Sequence, residues 1–411
     1  MFIVILYITL TIVFIYCLFT VGVLWHWHTC RKNKVRKAST QDKERRAEKA
    51  FIYPTIDILI AVRNEAQLYH TVESLAQQDY PKDRFRIILV DDFSDEDESL
   101  SVLNQIEHAH WPITVKIIRL CNELSASYAN LPNKKRALAL GAKASKASFL
   151  AFTDGDCIAQ PGWLKALAEE INLKSQCKMV LAGIKPIDQG GFTRHFAMLE
   201  QSALTVISGG SLIAGIPLMA NGANLLLSRQ VFEEINGFYP WEKKPSGDDI
   251  ILLRKVHGRY PNDIAFSFHP KAIMKTKFPS DLPTFWNQRR RWASKTFTMP
   301  SKQITAIMML MFFTQVAMAL FLVLIGIGLY NQHPTYALTA VIGLAAKTII
   351  DGVVIVNGAR HVQYPLRLWD FFLMPIFQVI NVFYNLVLGF QSIASNGKGY
   401  LWKGRRVIIN P

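Results

Sequence analysis

From Phe2 to Trp27 the chain carries no charged side chain and is apolar almost throughout. Such a run exceeds the roughly 20 residues that a helix needs to cross the hydrocarbon core of a bilayer, so it reads as a membrane span. A cleaved leader is the competing reading, yet no basic residue precedes the run and no small-x-small pattern ends it. Arg31, Lys32, Lys34, Arg36, Lys37, Lys43, Arg45, Arg46 and Lys49 crowd the positions that follow. Basic residues beside a span mark its cytoplasmic flank, which puts the bulk of the chain on that side.

Ile304 to Tyr330 is a second charge-free run. After the turn Asn331-Gln332-His333-Pro334 a third extends from Tyr336 to about Ala359, and the two read as a membrane hairpin. Lys347 and Asp351 interrupt the third run at i, i+4 spacing, where a self-neutralising pair suits structure as well as function. Phe371 to Ile393 is a fourth run, with Gln378, Asn381 and Asn385 as a polar stripe toward neighbouring helices. Four full crossings would leave the basic tail of Lys398, Lys403, Arg405 and Arg406 outside. A re-entrant last segment hinged at Pro375 would keep it inside, and both arrangements stay open.

Composition agrees with a chain partly in lipid: 50% of its 411 residues are hydrophobic and only 19% are charged, too few for an ordinary soluble protein. That apolar fraction excludes disorder, and 23 Gly, 18 Pro and 5 Cys exclude collagen or a disulfide scaffold. The cysteines, Cys17, Cys30, Cys121, Cys157 and Cys177, show no metal spacing, and a cytoplasmic setting keeps them reduced.

Between Phe51 and Pro300 short β-like runs alternate with helical stretches. The runs are Ile56 to Val62, Arg86 to Val90, Val115 to Leu120, Phe149 to Thr153 and Met179 to Ile184; helices are expected at Ala66 to Gln77, Lys134 to Ser145 and Trp163 to Lys174. This alternation predicts an α/β fold with a mostly parallel sheet flanked by helices, in which ligands bind beyond the carboxyl ends of the strands.

Those strand ends are acidic. Arg63-Asn64-Glu65 follows the first run, Asp91-Asp92-Phe93-Ser94-Asp95 the second and Asp154-Gly155-Asp156 the fourth. Nothing in folding requires so much negative charge on one edge, and a bound cation explains it. Two carboxylates separated by a glycine suit one Mg²⁺ or Mn²⁺, hard ions that share their remaining positions with substrate phosphates. A single Asp-x-Asp is otherwise a solvated turn.

Gly247-Asp248-Asp249 precedes the apolar helical run Ile250 to Val256, where helix capping by a carboxylate is the plain reading. Gln288-Arg289-Arg290-Arg291-Trp292 sets three guanidiniums beside an indole, fit either for a membrane flank or for a diphosphate and a sugar ring. Ala203 to Ala220 is apolar and uncharged, but Gly209, Gly210, Gly215 and Pro217 are expected to break it. A crossing there would also divide the acidic motifs between two sides of the membrane, so it reads as buried or interfacial.

Taken in order, these motifs resemble those of the membrane-anchored family 2 glycosyltransferases, enzymes of the glycosyltransferase A fold that include ceramide and carotenoid glycosyltransferases and poly-N-acetylglucosamine synthases. The likeness runs from about Pro54 to Trp292 and includes the flanking membrane segments and the terminal Leu401-Trp402-Lys403-Gly404-Arg405. Ala61 to Glu65 matches the first-strand motif, and Val90 to Asp95 the nucleotide-contacting acidic motif, with Phe93 in place of the usual glycine. Asn133 to Leu138 resembles the Gly-Lys-Lys-x-Ala-Leu helix start and departs from it at Asn133. Asp154-Gly155-Asp156 matches the metal motif, Gly247-Asp248-Asp249 the catalytic-base motif, and Gln288 to Trp292 the Gln-x-x-Arg-Trp motif.

The resemblance implies inverting transfer from a nucleotide sugar, with UDP as the expected nucleotide. It implies a metal on Asp156 assisted by Asp154, and a nucleotide held by Asp91 and Asp92 with Arg63, Glu65 and Lys134 nearby. Asp249 is the implied base, with Asp248 beside it for capping or acceptor orientation; Arg291 faces the departing diphosphate, and Gln288 and Trp292 complete the catalytic set. The expected acceptor is a membrane lipid. A growing glycan on a processive polysaccharide synthase is the alternative, and a nucleotide-binding scaffold or transporter a further one. The expected division is an anchor at 1–28, a basic flank at 29–50, a catalytic domain at 51–300, membrane segments at 301–395 and a basic tail at 396–411. The lipid bilayer is a partner, no nucleic acid is expected, and a homo-oligomer or partner subunit is left open.

Overall fold

Runs such as Ile56-Asp-Ile-Leu-Ile-Ala-Val62 are short and rich in β-branched residues, and in the computed structural model they become strands. The structure describes residues 2–39, 51–123, 134–187, 191–240, 246–293, 301–394, 400–402 and 405–407. Asn133, the basic positions from 40 to 50, and Lys398, Lys403 and Gly404 lie outside the described residues. The strands are β1 (Ile56–Val62), β2 (Phe85–Asp91), β3 (Val115–Arg119), β4 (Phe149–Asp154), β5 (Cys157–Ile158), β6 (Met179–Ala182), β7 (Ile184–Pro186), β8 (Leu225–Ser228), β9 (Ile264–Ser267) and β10 (Met274–Thr276). A small hairpin, β11 (Tyr400–Trp402) with β12 (Arg405–Val407), closes the chain.

The main sheet has seven strands in the order β3-β2-β1-β4-β8-β6-β9. Neighbours are parallel except that β8 runs against both β4 and β6. The reversal matters for the site. Because β8 enters where its neighbours exit, the turn before it, Ala220 to Asn224, arrives at the same edge as Asp91 and Asp154. The run Met179 to Ile184, expected as one strand, is two. It breaks at Gly183, where the chain leaves the main sheet for a three-stranded one of order β5-β10-β7.

The helices are α1 (Phe2–Ser39), α2 (Leu68–Ala76), α3 (Asp97–His108), α4 (Leu120–Glu123), α5 (Lys134–Lys143), α6 (Trp163–Leu173), α7 (Phe192–Ile213), α8 (Arg229–Glu234), α9 (Asp248–Arg259) and α10 (Leu282–Ala293). Alternate residues of a strand face opposite sides. Ile58 and Ile60 accordingly pack under α2, α3 and α6, whereas Leu59, Ile88 and Val90 pack under α5 and α9.

Three long helices follow: α11 (Lys302–Tyr330), α12 (Pro334–His361) and α13 (Leu368–Ala394). With α1 and α7 they make, among the described residues, five helices long and apolar enough to cross a membrane. In α1 and α11–α13 most of the apolar surface faces outward, as lipid-facing helices require, but α7 is mostly covered by the protein. Gly209 and Gly210 do not break this helix. They lie within it, and a Cβ on either would stand 2.6 Å from Trp27 or Val23 of α1, so the glycines are there for close packing; only Gly215, at φ +77°, and Pro217 end it. Trp27 then joins Phe266, Phe268 and His361 in edge-on contacts at 5.5, 4.7 and 5.2 Å, fastening α1 and α12 to the sheet.

α13 runs unbroken through Pro375. Phe377 and Tyr384 touch Phe196 of α7, and Met374 meets Gly352 of α12. Gln378 faces the Lys347–Asp351 pair, accepting from Lys347 at 2.6 Å and donating to Asp351 at 3.0 Å. Asn385 bonds Asn381 instead of a neighbouring helix. Phe372, Ile376, Phe383 and Phe390 remain exposed.

Candidate active site

The carboxyl ends of β1 and β2 are tied together by Arg63. Its guanidinium donates to the Asp92 carbonyl at 3.0 Å and to that of Phe93, and pairs with Asp95 at 3.0 Å. Arg63 is buried and acts as a brace for the acidic loop. Asn64 adds to it, donating to Asp95 at 2.7 Å, and this bond, ahead of the nearby Arg63 charge, holds the Asp95 carboxyl below its usual range. Phe93 adopts φ +55°, the left-handed region that glycine enters without cost. Asp91 accepts the Ser94 amide at 3.1 Å, and both Asp91 and Asp92 are buried at the floor of the edge.

At the end of β4, Asp154 and Asp156 flank Gly155. Thr71 of α2 donates to the Gly155 carbonyl at 2.7 Å, and a Cβ on Gly155 would meet Glu65 at 3.3 Å, so the turn is seated against the first-strand motif. Lys134, the first residue of α5, bridges two motifs: its Nζ lies 2.7 Å from Asp154 Oδ1 and 3.4 Å from Asp248 Oδ2. Burial pulls the lysine pKa down, but Asp154 and Asp248 outweigh it and hold the group charged. Burial raises Asp154 in turn, and the charge and hydrogen bond of Lys134 more than reverse that. Arg291 is near enough to act on both.

The residue at the cap position of α9 is Gly247, at φ +87°, which has no side chain to cap with. The capping expectation holds in part: Asp248 turns elsewhere, but Asp249 Oδ1 accepts the first-turn amide of Ile250 at 2.9 Å. Asp248 meets Lys134, whereas Asp249 accepts the Gly222 amide at 3.3 Å. Lys135, almost fully buried, donates to the Ser246 carbonyl at 2.9 Å and so anchors the start of α9 to α5. Gly222 and Lys135 were missed in sequence. The Asn221-Gly222 pair signals a turn, but only the antiparallel β8 carries it to the site.

The three arginines of α10 do not act as one clamp. Arg289 is buried and pairs with Glu200 of α7, while Arg291 faces the charged edge. Gln288 and Arg291 are three residues apart on one side of the helix; Phe285, Arg289 and Trp292 line the adjacent side. The sheet edge thus brings together Asp91, Asp92, Lys134, Asp154, Asp156, Asp248, Asp249 and Arg291, with Gln288 and Trp292 on the helix alongside.

Among the described residues no group of three or more His, Cys, Asp or Glu converges on one point. The donor set that fits a hard divalent ion is the pair Asp154 and Asp156, two carboxylates at one strand end whose partner oxygens would come from phosphate and water. Cys157, next to them, is no competing soft ligand. Burial first, then the charges of Asp156 and Asp154, push its thiol well above the ordinary value.

Residues 57–235 match the model of glycosyl transferase family 2, and residues 154–350 that of glycosyl transferase family group 2. A Bacillus subtilis protein named probable glycosyltransferase YdaM is 24% identical over 247 residues, 58% of this chain and 54% of that one. Glycosyltransferase AglE of Haloferax volcanii is 29% identical over 113 residues, 27% of this chain and 34% of its own. The chain thus spans about half the length of the first curated relative and a third of the second. Among solved structures, the mannosyltransferase PcManGT from Pyrobaculum calidifontis, in complex with GDP-Man and Mn2+, superposes with a TM-score of 0.51 at 15% identity. The match covers 95% of this chain and 99% of that one, and is a likeness of fold.

Proposed function

Since the chain belongs to glycosyl transferase family 2, its two matched regions together running from residue 57 to 350, we propose that it transfers a sugar, with inversion, from a nucleotide sugar to a membrane-associated lipid. The observation that carries this reading is the Lys134 bridge between Asp154 and Asp248, with Arg291 alongside and Asp249 one residue on. It gathers, at one strand edge, cations for a diphosphate and carboxylates for a metal and a base.

In this reading Asp91 and Asp92 receive the nucleoside, with Glu65 behind the Gly155 turn. Lys134 and Arg291 stabilise the negative charge that develops on the diphosphate, an electrostatic role that needs no rearrangement once the groups are in place. Asp249 takes the proton of the attacking hydroxyl, and Asp248, already paired with Lys134, orients it. Trp292 stacks on a sugar face. A divalent ion on Asp156 and Asp154 supplies Lewis-acid stabilisation of the leaving group when bound. The unit at 51–300 faces the cytoplasm, on the strength of the basic residues after α1, and UDP is the first nucleotide to try, with GDP second because the mannosyltransferase neighbour was solved with GDP-Man.

The experiment is radiolabelled transfer from a panel of UDP- and GDP-sugars into membrane extract, with lipid separated from polymer. Label in lipid supports the reading; label in polymer moves it to a processive synthase, and no transfer from any donor ends it. Asp249→Asn keeps the size of the side chain but cannot take a proton, so turnover should fall roughly 10²- to 10⁴-fold with donor affinity nearly unchanged. Should Asp248→Asn be inactive and Asp249→Asn active, the two roles are exchanged.

A further inference from the structure

Arg289 occupies a position between the glutamine and the Arg-Trp of its motif, and its surroundings are unlike those of a phosphate ligand. The side chain is 1% exposed. Its guanidinium carbon lies 4.2 Å from the ring centre of Phe285 and 4.2 Å from that of Trp292, so the flat cation is held between an aromatic one turn before it and one a turn after. Its Nε donates to Glu200 Oε2 at 2.8 Å, Nη2 to the same oxygen, and Nη1 to the side-chain oxygen of Gln288. The other oxygen of Glu200 accepts from the Tyr384 hydroxyl of α13 at 3.4 Å, and the Tyr384 ring lies against Phe285 and Trp286.

We infer that Arg289 is a positioning residue that sets the orientation of Gln288 and Trp292, and that Glu200 and Tyr384 hold it there, so the motif is aligned from the membrane side. Resting on the reading of the site as a glycosyltransferase centre, the inference follows from shape. Arginine alone offers both a planar face for two rings and a fork for a carboxylate and an amide. Glu200 belongs to α7, which packs on α1 and α12, and Tyr384 belongs to α13. A displacement of α13 in the bilayer is therefore felt at Trp292 through two side chains. A buried cation stripped of its carboxylate also leaves an uncompensated charge, so the pair works as a unit.

The test uses the full-length protein in detergent, labelled with 5-fluorotryptophan, and Trp292→Phe to assign the Trp292 fluorine resonance. Glu200→Gln keeps the shape and removes the charge; Arg289→Lys keeps the charge and removes the flat face. Each should shift or broaden the Trp292 resonance and lower kcat roughly 10- to 100-fold, the scale of a small misplacement of catalytic groups, while donor KM stays nearly constant. The double variant should be no worse than the poorer single one, because both act through the same clamp, and Tyr384→Phe should give a weaker change in the same direction. An unmoved Trp292 resonance in both single variants, or unchanged kcat, overturns the inference. So does a loss of donor affinity and thermal stability that accompanies every loss of kcat, since that is the signature of general damage. If the wild-type protein turns over no donor, the enzymatic reading fails while the resonance still reports on the clamp.

Discussion

Two lysine–aspartate clusters stand in this chain, one at the sheet edge and one among the long apolar helices, and their accounts of charge differ. In the membrane cluster Lys347 is 1% exposed and pairs with Asp351 one turn away. Tyr16 of α1 donates to Asp351 at 2.6 Å, its ring lies 5.1 Å from the Lys347 ammonium, and Gln378 of α13 both accepts from the lysine and donates to the acid. One cation meets one anion, and two further helices, α1 and α13, supply the remaining partners. At the sheet edge Asp91, Asp92, Asp154, Asp156, Asp248 and Asp249 gather around Lys134 and Arg291, with Arg63 bracing the acidic loop. Asp154 is also 38% exposed. A neutral, closed cluster joins helices; an acidic, open one calls for a cation and a substrate. The closed set of partners around the Lys347–Asp351 pair favours the structural alternative of the two that its spacing allowed.

The largest effect expected from this contrast is at the open cluster. Asp156→Ala should lower transfer by about 10³-fold or more, since a metal's Lewis-acid contribution is several kcal/mol. Thermal stability should hardly change, because Asp156 is half-buried in the turn between β4 and β5. Titration with Mn²⁺, read by donor binding, provides the check, and near wild-type transfer in EDTA would remove the metal from this strand end.

At the closed cluster the expectation is reversed. Lys347→Met leaves the half-buried Asp351 without its cation and should destabilise the protein by roughly 3–5 kcal/mol, whereas the double change Lys347→Met with Asp351→Leu should recover most of that loss. Chemical unfolding in detergent, followed by tryptophan fluorescence, measures both. If the single variant is as stable as wild type but inactive, this cluster belongs to function and the contrast collapses.

Much of this division was legible in the sequence, and the part that was not depended on packing. Charge-free runs and strand-end acids are local signals, so the long apolar helices, β1 to β4 and the acidic motifs appear where the pattern puts them. The antiparallel β8 is four residues long and carries no period that separates it from a loop, so its delivery of Gly222 to Asp249 was invisible. Gly209 and Gly210 read as breakers because close approach to Trp27 and Val23 is a property of two helices, not of one. Arg289 looked like its neighbours because only the position of Glu200, far off in sequence, turns it inward.

The smallest effect concerns the Lys134–Asp154 pair and sharpens the contrast through pH. Asp154 is depressed below its ordinary 3.8, so the stability it gains from Lys134 is fully present above that pH and is lost as pH falls through the folded value. Lys134 is raised above its ordinary 10.5, so its share is present below that pH and is lost only in stronger base. Between these limits the pair does not titrate. Solvent reaches Asp154, and screening limits the pair to about 1 kcal/mol. Lys134→Met should therefore lower the melting temperature by a few degrees, by the same amount at any pH from 5 to 8. Below about pH 3.8 the gap should narrow: wild type loses its ion pair, and in the variant protonation relieves the repulsion between Asp154 and Asp248. Melting curves of the two proteins in EDTA from pH 3 to pH 8 measure this. A gap that stays constant down to pH 3 would mean that Lys134 stabilises the fold by packing alone, and the open cluster would then lose the bridge on which its reading as a charged site depends.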